Sequence, residues 1–411
     1  MVNIFSVYPA LTSCFGAFFT LLCALLLSKE IRNISFKTVF MAISLEIGLL
    51  FCLLKTSIGD FILYELVAFT HSINAAAQQG IIFVFGALAT NTAPWGFIFA
   101  LHVLPLIIFF SAFISGLSFL GITDFIIRVF SLPLSFIVRT SRAETAAAIA
   151  KSFLGPTEAQ LLIRDYLPTL STAELFAIMV SGMSMIAASL FGVYMEMGAP
   201  GTHLITANLL GIPGSLLFAK IIMPDKHKQS KHEDDIGSVE TPKPSTFVEA
   251  IIKGSLDGLQ LVLAIGALLI SFLALIELLN SIFMYAGSLL GTDELTFQSF
   301  VGYICAPWGF LTGLPTHEAF KVSELIGIKF LANEMVAFSK LSASNLSPRG
   351  LIIATYALCG FANIACMGIV LGGLGTLLPD RSSVLAQVSW RALAAATLSN
   401  LFSAYLVGIF I

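Results

Sequence analysis

Two short strings set a proline, a threonine and a glutamate in apolar surroundings. The first is GPTEA, Gly155 to Ala159, and the second is LPTHEA, Leu314 to Ala319. Carboxylates and hydroxyls so placed can hydrogen-bond a polar solute. Pro156 and Pro315 lack a backbone N–H and favour the first turn of a helix. Thr157 and Thr316 can offer hydroxyls to the free N–H groups nearby. Glu158 and Glu318 then stand near the positive end of a half-helix, where a carboxylate is stabilised. Each string is followed by an apolar segment with a polar, glycine-containing interruption: SGMS, Ser181 to Ser184, and GFAN, Gly360 to Asn363. A single Pro-Thr-Glu is a commonplace helix start, so it is the repetition that carries meaning. Broken helices at membrane depth are tolerated only where they are buried or line a watery cavity. Two of them in corresponding halves point to a solute site at the repeat interface. An ionisable group at that depth costs on the order of 3 kcal/mol, so it persists mainly for function. Glu46 and Glu277 stand alone in their apolar runs and are expected to make structural hydrogen bonds or subunit contacts.

The elements that must position these groups are membrane helices. Of 411 residues, 57% are hydrophobic and 11% charged, against about 25% charged in a soluble domain. A span needs about 20 apolar residues. The pattern predicts eight: Tyr8–Ser28, Thr38–Leu54, Pro94–Ile122, Leu175–Met195, Ile205–Met223, Leu259–Leu279, Leu351–Leu378 and Leu393–Ile411. Phe61–Ala77 and Phe125–Val138 are expected at the interface, and Arg142–Leu167 and Thr296–Phe338 as hairpins that enter the membrane and turn back. The first run reads as a retained span, because no charge occurs from Val2 through Ser28 and no basic region precedes it. Lys and Arg clusters after the first, third, fifth and seventh spans fall on one side if the chain starts outside. Both termini are then periplasmic and the polar linker 225–245 cytoplasmic; Lys340 and Arg349 dissent. The six cysteines lack metal spacing and read as small core residues. His227 and His232 read as part of a solvated loop.

Longer strings resemble a known family, the concentrative nucleoside transporters. GIKFLANEMVAF, Gly327 to Phe338, looks like the family signature G-x-K-x-x-x-N-E-F-V-A, with Met335 for the usual Phe. FVFG at Phe83–Gly86, LPLIIFFSA at Leu104–Ala112, GPTEAQLLIRDYL at Gly155–Leu167, ELFAIMVSG at Glu174–Gly182 and CGFANIACMGIVLGG at Cys359–Gly373 extend the match over nearly the whole chain. The resemblance implies an all-α polytopic membrane protein with eight spans, two re-entrant hairpins, interfacial helices and an inverted-repeat transport domain, assembled as a homotrimer in the inner-membrane bilayer. The expected divisions are 1–90 (scaffold spans and interfacial helix), 91–224 (third span, first hairpin and first transport half), the linker 225–245, and 246–411 (second hairpin, second transport half and last span). It implies that Glu318, Phe361 and Asn363 hold the ribose and that Thr157 and Glu158 read the base. Two departures bear on selectivity: Pro156 stands where Gln is common, and Cys366 where Ser is common. His317 at the second tip is also unusual.

The coupling ion is expected to be the proton. Sodium-coupled members have an Asn four residues before the first-tip glycine, and here that position is Lys151. An ammonium has donors but no acceptor and cannot ligate a cation. Lys151 would stand in for the ion, with Ser184 among its oxygens, and Glu158, Glu318, His317 or Lys151 would carry the proton. The alternatives are that Lys151 snorkels to the surface while sodium uses other ligands, or that the chain is a non-transporting gate-type membrane protein. No cofactor, metal or nucleic-acid partner is implied. An enzyme is disfavoured, since neither H-E-x-x-H nor G-x-S-x-G occurs. The linker is too short to house the nucleotide-binding domain of a primary pump.

Overall fold

The computed structural model describes residues 8–89, 98–155, 159–160, 163–164, 166–225, 244–289 and 296–411. Among these residues the chain is helical, with no β-strand. The first half contains α1 (Pro9–Leu26), α2 (Phe36–Lys55), α3 (Ser57–Phe85), α4 (Leu104–Phe119), α5 (Ile122–Val138), α6 (Arg142–Phe153), α7 (Thr172–Ser184), α8 (Phe191–Glu196) and α9 (Gly201–Ile222). The second half contains α10 (Phe247–Leu289), α11 (Phe297–Phe310), α12 (Thr316–Leu331), α13 (Glu334–Leu341), α14 (Pro348–Leu358), α15 (Ile364–Leu377) and α16 (Ser382–Phe410).

Among the described residues, eight helical segments are long and apolar enough to cross a membrane. The number is the expected one, but the membership differs. Phe61–Ala77, expected at the interface, lies inside α3, a proline-free helix of 29 residues. Leu351–Leu378, expected as a span with a polar break, is two half-helices of 11 and 14 residues, each alone too short at 1.5 Å per residue to cross about 30 Å of hydrocarbon. Leu259–Leu279 is the middle of α10, which runs for 43 residues. Phe36, Phe83 and Phe136 are 87%, 91% and 86% exposed, as suits side chains whose solvent is lipid.

Helices α7, α9 and α16 are mostly buried and form the centre. α16 packs against α1, α7, α9 and α14. α10 lies along α4, and two glycines set the spacing. A Cβ on Gly258 would stand 2.8 Å from the Ile108 Cα, and one on Gly254 would stand 2.9 Å from the Ala112 Cα. Small residues four apart let membrane helices approach at backbone distance. Glu46 makes a structural hydrogen bond, its Oε1 accepting from Ser403 Oγ of α16 at 2.6 Å. Glu277 accepts from Asn280 Nδ2 one turn on, at 3.2 Å.

Within Thr296–Phe338, α11 and α12 pack together as a helical hairpin, with Gly313 at φ +74 in the turn between them. In Arg142–Leu167, α6 is the leading arm. The tip residues Pro156, Thr157 and Glu158 lie outside the described residues, as do 226–243 of the linker, including His227 and His232.

Candidate functional site

Helices stop where the polar interruptions were expected. α7 ends at Ser184, and Met185 is extended at φ −128, ψ 159. α14 ends at Leu358, and the chain runs unwound to Asn363, which caps α15. A further break, not singled out from the sequence, separates α12 from α13 at Ala332 and Asn333.

The caps decide where the polar groups point. Asn333 Oδ1 accepts the Val336 N–H at 2.9 Å, and Asn363 Oδ1 accepts the Cys366 N–H at 2.7 Å. With its oxygen committed to the cap, Asn363 turns its amide nitrogen outward, and Nδ2 donates to Glu334 Oε2 at 2.8 Å. Glu334 Oε1 accepts from the Tyr194 hydroxyl at 3.1 Å, and the Tyr194 ring stacks on Phe338 with centroids 4.4 Å apart. Glu334 is the first residue of α13. Its carboxylate therefore stands at the positive ends of two half-helices, α13 and α15.

Lys151, fully buried on α6, completes the cluster. Its Nζ lies 4.2 Å from the centroid of the Phe361 ring, within cation–π range. Phe361 is two residues before Asn363, and the Lys151 charge also acts on Glu334 and on Cys366. An ammonium, an aromatic face, an amide and a carboxylate thus converge where three broken segments meet. A carboxylate offers about four lone-pair sites. The Tyr194 and Asn363 side chains each take one, and the carboxylate can still face the hydroxyls of a solute.

Of the other expected site residues, Glu318 and His317 fall elsewhere, and Thr157 and Glu158 lie outside the described residues. Glu318 Oε2 accepts from Ser347 N at 3.2 Å and from Ser347 Oγ at 2.7 Å. Ser347 caps the start of α14, eleven residues before the break, which is roughly 16 Å away at helical rise. His317 is largely exposed beside Glu318, Nε2 to Oε1 3.8 Å. Ser184 donates its hydroxyl back to Val180 O at 2.9 Å within α7, so only its carbonyl faces the break. Cys366 is buried next to Asn363. Glu334 was not among the expected site residues. The available signal was Asn-Glu, a cap residue followed by an acid, at the end of an apolar helix.

Gly360 lets the two main breaks approach. A Cβ there would stand 2.6 Å from Ser184 O and 2.7 Å from Asn400 Nδ2. Overpacking of this kind costs about 1–3 kcal/mol. Gly360→Ala should lower the thermal midpoint in detergent by roughly a few degrees. An unchanged midpoint would show that the two breaks can separate at no cost.

A family model described as the C-terminus of a Na+ dependent nucleoside transporter matches residues 203–408, and its N-terminal counterpart matches residues 15–88. The chain belongs to the concentrative nucleoside transporter family. A model for nucleoside recognition covers residues 100–201 of this transporter-family chain. The chain is 39% identical to an uncharacterized transporter of Haemophilus influenzae over 98% of each protein. It is 35% identical to the nucleoside permease NupC of Helicobacter pylori, over 98% of this chain and 99% of that one. The structure of CNTnw in an inward-facing substrate-bound state shares the concentrative nucleoside transporter fold with it. The TM-score is 0.92 at 34% identity, over 98% of each chain.

Proposed function

We propose that this membrane protein takes up nucleosides by secondary active transport, driven by protons. The observation that carries the binding part is the Glu334–Asn363 pair, held between two helix N-termini and flanked by Phe361. A ribose presents vicinal hydroxyls, which suit one carboxylate with spare lone pairs and an amide beside it. Phe361 offers an apolar face, and Cys366 lies at the edge of the site. Thr157 and Glu158 would read the base from the first hairpin tip. Both hairpins would be re-entrant, and the chain would assemble as a homotrimer. Glu318 and His317 stand apart from the cluster and lie outside the proposed contact set.

Lys151 supports the proton. An ammonium over Phe361 would repel a second cation at that place, and the buried amine is itself the group proposed to carry the proton. The family model's description favours a second reading, sodium coupling. The test is accumulation of radiolabelled uridine in proteoliposomes with one gradient imposed at a time. An inward proton gradient should drive accumulation. Accumulation on inward sodium at clamped pH and voltage, absent with choline, would overturn proton coupling. Failure of uridine counterflow altogether would overturn nucleoside transport.

A further inference from the structure

The broken helices leave negative ends as well as positive ones. α7 and α14 end in the buried interior, where their final carbonyls lack the next helical turn's N–H groups as partners. Two side chains outside the nucleoside cluster reach these carbonyls. Asn400, in the middle of α16, donates from Nδ2 to Ser184 O at 2.7 Å and to Cys359 O at 3.0 Å. Its Oδ1 accepts from Lys329 Nζ at 2.7 Å, and Lys329 Nζ also donates to Ala357 O at 2.9 Å. Lys329 and Asn400 are each 3% exposed. Lys329 belongs to the last turn of α12, so its charge also faces the carbonyl end of its own helix.

We propose that Lys329 and Asn400 form a resident-cation clamp that positions the nucleoside site. One ammonium neutralises the carbonyl ends of α12 and α14. Through the amide of Asn400 its influence extends to the end of α7. The clamp joins the Ser184 break to the Cys359–Ala362 break. Asn363 leaves the second break, and Glu334 lies five residues beyond Lys329, close enough for the two charges to interact. Losing the ammonium would leave several buried carbonyls facing one another across the break. Asn363 would then lose the register in which its Nδ2 meets Glu334. Both clamp residues are positioning residues, because neither touches the pocket atoms that would meet substrate.

The inference rests on Glu334 and Asn363 being nucleoside contacts, and uridine binding to the unaltered protein tests that separately. Uridine affinity is measured by calorimetry on purified, monodisperse Lys329→Met, Lys329→Arg, Asn400→Ala and the Lys329→Met/Asn400→Ala double variant. Lys329→Met and Asn400→Ala should each weaken binding at least tenfold. The double variant should bind no more weakly than the worse single, because both remove one unit. Lys329→Arg keeps the charge and should recover most of the affinity. Wild-type affinity in the folded fraction of Lys329→Met or Asn400→Ala, or losses that multiply in the double variant, would overturn the clamp. Should Lys329→Met not purify, Asn400→Ala against Asn400→Asp carries the test. Aspartate keeps the acceptor for Lys329 but has no donor for Ser184 O and Cys359 O, so it should be as weak as alanine. Recovery in Asn400→Asp would refute the bridging role.

Discussion

Glu334→Gln is expected to weaken uridine binding by at least tenfold while the chain still folds. Glutamine keeps the length and one acceptor oxygen, so Tyr194 or Asn363 retains a partner. It loses the negative charge that stands between the N-termini of α13 and α15. Hydrogen bonds to a charged group contribute about 1.5–3 kcal/mol, and each 1.4 kcal/mol is about tenfold in affinity. A ribose bound through two hydroxyls would feel the upper part of that range. Glu318→Gln is the matched control. Its carboxylate is occupied by Ser347, 2.7 Å from the hydroxyl, at the far end of α14. Its affinity should change by less than about twofold, as befits a substitution outside the contact set. Calorimetry on both variants separates the two carboxylates. Unchanged binding in Glu334→Gln would remove this residue from the site, and a large loss in Glu318→Gln alone would move the site to the other end of α12.

Lys151→Asn should cut proton-driven accumulation at least tenfold while uridine counterflow continues. A second cation about 4 Å from the ammonium would be repelled by about 4 kcal/mol at an effective dielectric of 20. Asparagine removes that repulsion and supplies a side-chain oxygen. The Ser184 hydroxyl is engaged with Val180, so a full set of sodium ligands would require that rotamer to change. Counterflow needs binding and reorientation but no gradient, which makes it the internal control. Proton-driven accumulation equal to wild type in Lys151→Asn would exclude Lys151 from coupling. New sodium dependence would show that the ammonium holds the place of an ion.

Much of the scaffold was legible because lipid imposes a simple rule on composition. Crossing-length apolar runs and interruptions at Ser181–Ser184 and Gly360–Asn363 stand out when polar residues are scarce. α3 was harder. His71, Asn74, Gln78 and Gln79 lower its hydropathy, yet a proline-free segment capped by Thr56 keeps its helix whole. The repeated Pro-Thr-Glu drew attention to Glu318 because local pattern is what a sequence displays. Which glutamate meets Asn363 depends instead on how α12, α13 and α14 pack, a non-local matter. Lys329 and Asn400 show the same limit. Neither carries a pattern that names its partner, and their contact spans 71 positions along the chain.

α10 has a geometric consequence of its own. From Leu259 to Leu289 it carries Glu277 as its one acid and no base. That stretch is roughly 46 Å long at 1.5 Å per residue, while the hydrocarbon layer is about 30 Å thick. Upright, roughly 16 Å of greasy rod would stand in water; fully immersed, the rod must lean by about 50°. A rod leaning that far would act as a diagonal brace. Near its N-terminus it is attached to α4, where Ser115 Oγ donates to Ala250 O. Near its C-terminus it is attached to α11, where Asn280 Oδ1 accepts the Phe297 N–H. If the rod takes that lean, a change in its angle would swing one attachment sideways relative to the other, and bilayer thickness would act on the second hairpin as a mechanical load.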